Sequence, residues 1–70
     1  MELYKLIAKK FTKEDLENVI ESMGYDILGE FKDYWNIIDI YDDTATETMI
    51  IIDDMTTHNG LIKVRDIQEF

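Results

Sequence analysis

The chain has no cysteine, a single histidine and only three glycines in its 70 residues. Without cysteine there are no disulfide bonds, and one histidine alone cannot supply a structural zinc site. The three glycines are isolated from one another, so no glycine-rich phosphate-binding loop exists. A core of this size seldom gives more than about 3–5 kcal/mol of net stability. We therefore expect either an unusually well-packed core or burial of apolar surface in a complex.

Long apolar runs are also missing. No run reaches the roughly 18 residues that a membrane-spanning helix needs. Residues 1–11 contain lysines but lack the continuous apolar segment and the cleavage site of a signal peptide. The absence of cysteine agrees with a reducing compartment. We therefore expect a cytoplasmic protein.

Basic residues are scarce and unevenly placed. Seven Lys and Arg against sixteen Asp and Glu give a formal charge of −9. Residues 14–62 carry thirteen acidic residues against Lys32 alone, a balance of −12, whereas residues 1–13 carry +3. Such a surface repels nucleic-acid phosphates and anionic membranes, and it attracts basic protein surfaces. The expected partner is therefore a basic protein surface, with no direct binding to nucleic acid or membrane.

Apolar residues concentrate at 34–41 and 49–52, and 33–62 contain no Lys or Arg. Their Ile, Tyr, Trp and Met content predicts two central strands, at 34–41 and 47–54, joined by a polar turn at 42–46. The dipeptide Asn59-Gly60 predicts a type I′ turn that places Asp54 opposite Arg65. A final strand would then cover 61–67 and leave 68–70 as a tail.

The segment 12–24 has the signals of a helix at both ends and along its length. Thr12 followed by Asp15 predicts the N-terminal cap, and Gly24 stands where a left-handed C-terminal cap is needed. Between them the apolar residues repeat at helical spacing and form one stripe: Leu16, Val19, Ile20 and Met23.

The remaining segments are less regular. Residues 2–11 fit both a helix and a strand, and we favour a strand because no linker separates them from the next helix. Residues 25–31 alternate around Gly29 and predict a short or bulged strand, with Lys32-Asp33 as its turn. The sequence thus predicts a single α+β domain over 1–70, with one helix packed on an antiparallel sheet of three to five strands, β-α-β-β-β-like. The sheet face away from the helix would be an exposed apolar patch or a dimer interface.

No pattern typical of an enzyme or a metal site is present. The carboxylates at 42–43 and 53–54 lack the EF-hand spacing for calcium. His58 has no sequence-local nucleophile and no second histidine, so a turn residue is the simpler interpretation. A carboxylate pair of the glycosidase type would need a cleft that this short chain hardly accommodates. We expect no catalytic residue, no cofactor and no metal.

The carboxylates themselves are the candidate site. At 100° per residue Glu14, Glu17 and Glu21 form a row on the outer face of the helix, which is either a solvated surface or a recognition stripe. The aromatic residues around Trp35 either fill the core or supply apolar anchors. The predicted partner-binding residues are Glu14, Glu17, Glu21, Asp42, Asp43, Glu47, Asp53 and Asp54, with Trp35 or Tyr41 as anchors.

In size, charge, aromatic content and lack of cysteine, the chain resembles the small acidic inhibitors that phages and mobile elements make against host nucleic-acid enzymes. Anti-CRISPR, antirestriction and uracil-glycosylase inhibitor proteins are examples, and several of them present carboxylates where a nucleic acid presents phosphates. The resemblance covers no alignable segment. It implies a DNA-mimic-like module that blocks a basic nucleic-acid-binding surface of an enzyme. The alternative is a small structural or regulatory protein that forms homodimers through its exposed sheet face.

Overall fold

The structure, a computed structural model, describes residues 2–42, 44–53 and 60–69. A 3₁₀-helix at Glu2–Leu6 precedes one α-helix and five strands. The elements are β1 (Lys10–Phe11), α1 (Lys13–Ser22), β2 (Tyr25–Glu30), β3 (Tyr34–Asp39), β4 (Thr48–Ile52) and β5 (Ile62–Glu69). The strands form one curled antiparallel sheet in the order β1-β5-β4-β3-β2. The α+β prediction of one helix on an antiparallel sheet is confirmed.

Helix α1 has the predicted capping contacts. Thr12 lies in the extended region, and its Oγ1 accepts a hydrogen bond from the backbone N–H of Asp15 at 3.1 Å. At the other end Gly24 has a φ of +90°, the left-handed conformation that glycine adopts without strain. Leu16 and Ile20 are fully buried, so the apolar stripe faces the core as its spacing predicts.

The predicted strand over residues 2–11 is wrong. The first residues form the 3₁₀-helix, which places side chains three positions apart on one side. This spacing buries both Leu3 and Leu6 in the core, whereas an extended chain would turn them to opposite faces. Ala8, at a φ of +71°, then redirects the backbone into β1, which keeps only two strand residues.

The core lies on the concave face of the curled sheet. Alternate residues of β3, β4 and β5 point into it, and the helices add their buried leucines and isoleucine. Helix α1 contacts β2 and β1, the two edge strands, and so bridges the gap between them. The fully buried side chains include Trp35, Ile37, Ile50, Ile62 and Val64.

The hairpin of β2 and β3 follows the prediction closely. The register shifts between Ile27 and Gly29, which is the predicted bulge, and the N–H of Phe31 donates to the carbonyl of Tyr34 at 2.9 Å across the turn. Strand β3 ends at Asp39, two residues earlier than predicted. There the Asp39 carboxylate accepts the N–H of Tyr41 at 2.8 Å, which turns the chain out of the sheet.

The register of β4 and β5 differs from the prediction. An unbroken hairpin about Asn59-Gly60 would place Ile52 opposite Ile67, whereas the structure pairs Ile52 with Val64 and Ile50 with Ile67. The offset from the predicted register is three residues at Ile52 and two residues at Ile50, and the bulge between Ile51 and Ile52 accounts for the difference between the two. The predicted contact of Asp54 with Arg65 lies outside the described residues. Strand β5 also continues to Glu69, so the predicted tail starts too early.

The convex face of the sheet carries the apolar surface that the two-sided strand pattern predicts. Tyr34, Met49 and Ile51 are half-buried there, and Phe31 is 48% exposed. The Phe31 ring lies beside Gly29 and stacks on Tyr34 with a centroid separation of 4.8 Å. Both helices bury their apolar side chains in the core on the other face, so neither covers this one. We call this surface the open face.

Candidate functional site

The antiparallel topology collects carboxylates at one end of the sheet. Strands β3 and β5 finish where β2 and β4 begin, so residues at those four termini are neighbours. Helix α1 ends at the same place, because the N–H of Ile40 donates to the carbonyl of Gly24 at 3.0 Å. We call this region the acidic end. Its described carboxylates are Glu21, Asp26, Asp39, Asp42, Glu47 and Glu69.

Basic residues lie at the opposite end, which we call the mixed end. Lys13 is 3.4 Å from Glu30, and Arg65 is 3.2 Å from Asp53, so both of these carboxylates have a cationic partner. Lys10 and Lys63 are cross-strand neighbours in the same region. The described termini of α1, β2, β3, β4 and β5 that meet at the acidic end carry no Lys or Arg. Among the described residues, the net negative charge is therefore concentrated at the acidic end.

Helix α1 adds to this negative potential. Its C-terminal carbonyls, which carry the negative end of the helix dipole, lie at the acidic end. No basic residue occupies the last turn, where Lys or Arg would offset the dipole. Glu21 stands in that turn instead and is exposed. Both charge and dipole thus favour a cationic partner here.

A pocket of about 220 Å³ opens at the acidic end, at the mouth of the curled sheet. Its floor comes from two cross-strand pairs on the concave face, Tyr25 with Asp39 and Thr48 with Glu69. The connection between β3 and β4 forms its wall. The lining residues are Tyr25, Asp39, Asp42, Ala45, Thr46, Thr48 and Glu69.

The pocket is acidic, and its groups influence one another. Burial raises the pKa of Tyr25, and the negative charges of Asp39 and Glu69 raise it further. Hydrogen bonds from the hydroxyl and backbone N–H of Thr44, at 2.7 and 3.0 Å, lower the pKa of Asp42. At neutral pH the tyrosine is therefore a neutral hydrogen-bond donor.

Three of the predicted carboxylates meet at the acidic end: Glu21, Asp42 and Glu47. Glu14 is exposed in the first turn of α1, toward the mixed end, and Asp53 is paired with Arg65 at that end. Strand β4 separates Glu47 from Asp53 by roughly 17–20 Å, since each strand residue adds about 3.3 Å. Asp43 and Asp54 lie outside the described residues. The predicted carboxylates do not form one surface.

The predicted helix row is wrong at Glu17. Its side chain is half-buried and lies close enough to Glu30 on the neighbouring strand β2 to raise the pKa of that carboxyl group. Burial raises the pKa of Glu30, the neighbouring Glu17 raises it further, and Lys13 opposes the shift. Glu17 therefore belongs to the packing of α1 on β2, not to a surface stripe.

The two predicted aromatic anchors differ in their surroundings. Trp35 is 0% exposed, so its prediction as a surface anchor is wrong, and the alternative that it fills the core is correct. Its side chain lies on the concave face opposite Ile50, where the pleat of β3 directs it inward. Tyr41 is 84% exposed at the acidic end, with its ring beside Gly24.

Sequence reasoning missed several residues of the pocket, above all Tyr25, Asp39, Thr48 and Glu69. Asp39 interrupts an apolar run, and Glu69 lies in the predicted tail. The sequence pattern therefore marks neither residue as part of a charged cluster. The predicted strand boundaries could have identified these residues, because polar residues at the ends of neighbouring antiparallel strands meet at one end of the sheet.

Among the described residues, no group of three or more His, Cys, Asp or Glu side chains is arranged to hold a metal ion. No described helix is both long and apolar enough to cross a membrane. Comparison of the chain with protein-family models, with curated proteins and with solved structures finds no match in any of the three.

Proposed function

We propose that the chain is a small acidic protein-binding module that blocks a basic, nucleic-acid-binding surface of an enzyme, in the manner of a phage- or mobile-element-type inhibitor. The observation that carries this proposal is the separation of charge between the acidic end and the mixed end. Six described carboxylates stand at the acidic end with no Lys or Arg among its described residues. The sites that complement such a surface are cationic, and those that bind nucleic-acid phosphates are the most extended of them.

The arrangement suits contact with a protein better than catalysis. Most of these carboxylates are exposed or half-buried, and exposed charges steer association and select partners rather than supply large binding energies. Tyr41 adds a large exposed ring next to them, and tyrosine is enriched among residues that dominate interface energies. The acidic end thus combines a charged rim with an apolar anchor.

Two variants of equal net charge test the proposal. The acidic-end variant E21Q/D26N/E47Q neutralises three carboxylates outside the pocket, and the control variant E14Q/D33N/D66N neutralises three exposed carboxylates elsewhere. Each protein is immobilised and used to capture partners from host lysate, which are quantified by mass spectrometry. We expect a nucleic-acid-binding protein that wild type and the control variant retain and the acidic-end variant loses.

Competition decides whether the captured protein is bound at its nucleic-acid site. Added duplex DNA should release the partner from the immobilised wild type, because both ligands need the same basic surface. A partner that stays bound in excess DNA, or that binds the acidic-end variant as well as wild type, would contradict the proposal.

A second candidate function is self-association through the open face. The uncovered side chains of Phe31, Tyr34 and Met49 favour it, since soluble monomers rarely expose large contiguous apolar surfaces. A two-fold arrangement with antiparallel strands would also place the acidic end of one copy beside the mixed end of the other. Charge complementarity then supports the contact despite the negative net charge.

Sedimentation distinguishes the two candidates. If the chain works as a dimer, wild type and the acidic-end variant sediment as dimers, and M49Q, which places an amide on the open face, sediments as a monomer. A wild-type protein that remains monomeric at high concentration excludes this second function. It leaves the first one unaffected.

A further inference from the structure

We infer that the open face packs on a second copy of the chain in one antiparallel orientation, and that Asn36 selects this orientation by pairing with its own copy across a two-fold axis. The inference rests on the second candidate function, self-association through the open face. It adds the orientation of the two copies and the residue that determines it. It does not depend on a basic partner at the acidic end.

Asn36 lies in the middle of the open face. In β3 the side chains of Trp35 and Ile37 are buried in the core, so the side chain of Asn36 between them points to the opposite face. Its register partners are Gly29 on β2 and Met49 on β4, and it is half-buried beside them. A polar amide thus stands at the centre of a mostly apolar surface.

The amide favours a second copy over other partners of the open face. Asparagine is depleted in strands, where a β-branched residue packs better. Its carboxamide carries both donors and an acceptor, so two copies of the side chain can hydrogen-bond to each other. A purely apolar partner would instead leave the amide without a hydrogen bond, which lowers affinity. In coiled coils a single buried asparagine selects one register and one oligomeric state in this way.

The residues around Asn36 are self-complementary as well. Tyr34 and Ile38 lie two positions before and after it on the same face of β3. A two-fold axis that crosses the strands along the row of Gly29, Asn36 and Met49 places each of these residues against its own copy. The same axis places Tyr34 of one copy against Ile38 of the other. Apolar side chains therefore face each other on both sides of the amide.

Charge selects this axis over the other one that an aligned packing of two sheets allows. An axis parallel to the strands would set the two acidic ends against each other, and their carboxylates would repel. The axis across the strands sets the acidic end of each copy against the mixed end of the other. It brings Asp26, exposed at the start of β2, near Lys32 in the β2–β3 turn of the other copy. The two orientations therefore differ in a contact that can be measured.

Disulfide cross-linking measures this contact, because the chain has no cysteine of its own. Asp26 and Lys32 are separated by roughly 20 Å along β2 and its turn, so a disulfide between these positions forms only between two copies. The D26C and K32C proteins are mixed, mildly oxidised and separated without reductant. We expect D26C to cross-link to K32C, with little product from either variant alone.

Two controls separate specific contact from random collision. E14C mixed with K32C should give only the collision product, because Glu14 is exposed on α1, away from the open face. Adding M49Q to both D26C and K32C should reduce their product to the same level, because it places an amide on the interface.

Asn36→Leu tests the role of the amide. It keeps a side chain of similar reach and removes the donors and the acceptor, so the copies should associate more tightly but in more than one arrangement. Sedimentation should then show dimers together with larger species. In the N36L background, the ratio of the D26C–K32C product to same-variant products should fall about threefold or more. M49L, which keeps an apolar side chain of similar volume, should leave both results as in wild type.

Two results would overturn the inference while self-association stands. One is D26C or K32C cross-linking to itself as readily as to the other variant. The other is N36L forming a discrete dimer with the wild-type cross-linking pattern. In both cases dimers that M49Q dissociates show that the copies still associate through the open face, in another geometry. A wild-type protein that stays monomeric at high concentration would remove the second function and this inference together.

Discussion

The carboxyl groups of Glu17 and Glu30 lie near each other where α1 packs on β2, and a hydrogen bond between them requires a proton on one of the two. Because burial and the neighbouring Glu17 raise the pKa of Glu30, the folded chain binds a proton more tightly than the unfolded chain. The stability that this contributes is fully present below the ordinary glutamate pKa. It is lost as pH rises through the raised pKa of the folded state.

Replacing Glu17 by glutamine should therefore stabilise the protein near neutral pH. The amide can still donate a hydrogen bond to Glu30, while the like-charge repulsion disappears, a gain of about 0.5 kcal/mol. For a domain of this size that corresponds to a rise of about 2–4 °C in Tm. The gain should shrink near pH 4, where the wild-type pair holds its proton. Thermal unfolding at both pH values measures this.

The matched control is E14Q, on the same helix but exposed. It removes a charge that favours the helix N-terminus, so it should lower stability slightly at neutral pH. A variant E17Q that is less stable than wild type at neutral pH would show that the two carboxyl groups are not held together.

At the scale of elements, features that neighbouring residues determine were predictable from the sequence, whereas features that depend on distant contacts were not. The caps of α1 and the bulge at Gly29 are specified by neighbouring residues, and both were predictable from the sequence. The 3₁₀-helix was not, because the spacing of Leu3 and Leu6 fits more than one structure until the sheet is present to bury them. The register of β4 and β5 includes a bulge in which Arg65 is the extra residue of β5, and no local pattern marks it.

The C-terminal cap of α1 can be tested by comparing Gly24 with Gly60. Gly24 and Gly60 both have positive φ, at +90° and +72°. A Cβ at Gly24 would lie 2.5 Å from the Tyr41 ring, whereas a Cβ at Gly60 would meet nothing within 4 Å. Both G24A and G60A should lower the free energy of unfolding by about 1–2 kcal/mol, because alanine is strained in the left-handed conformation. G24A should in addition displace the Tyr41 ring.

Urea unfolding of both variants measures the strain, and the NMR signals of the Tyr41 ring report its displacement. We expect G24A to be the less stable of the two and to be the one that shifts the ring signals. If G24A is as stable as wild type with unchanged Tyr41 signals, Gly24 does not hold the cap and the ring in the arrangement described.

At the scale of the whole molecule, composition predicts an acidic surface but not its location. The sequence places thirteen acidic residues at 14–62, yet the antiparallel order of the strands decides which of them become neighbours. It brings Asp39 and Glu69, thirty positions apart in the chain, to one pocket. It also sends Asp53 to the mixed end, where Arg65 neutralises it. The candidate site is thus a property of topology as much as of charge.

The central claim is that the acidic end binds a basic surface, and the salt dependence of the complex tests it most directly. The dissociation constant of the captured partner is measured for wild type, the acidic-end variant and the control variant as salt rises from about 0.05 to 0.3 M, over which the Debye length falls from roughly 14 to 6 Å. We predict that wild type and the control variant lose about tenfold or more in affinity over this range, whereas the acidic-end variant binds weakly throughout with a much shallower slope. Affinity that is independent of salt, or equal slopes for all three proteins, would contradict the account.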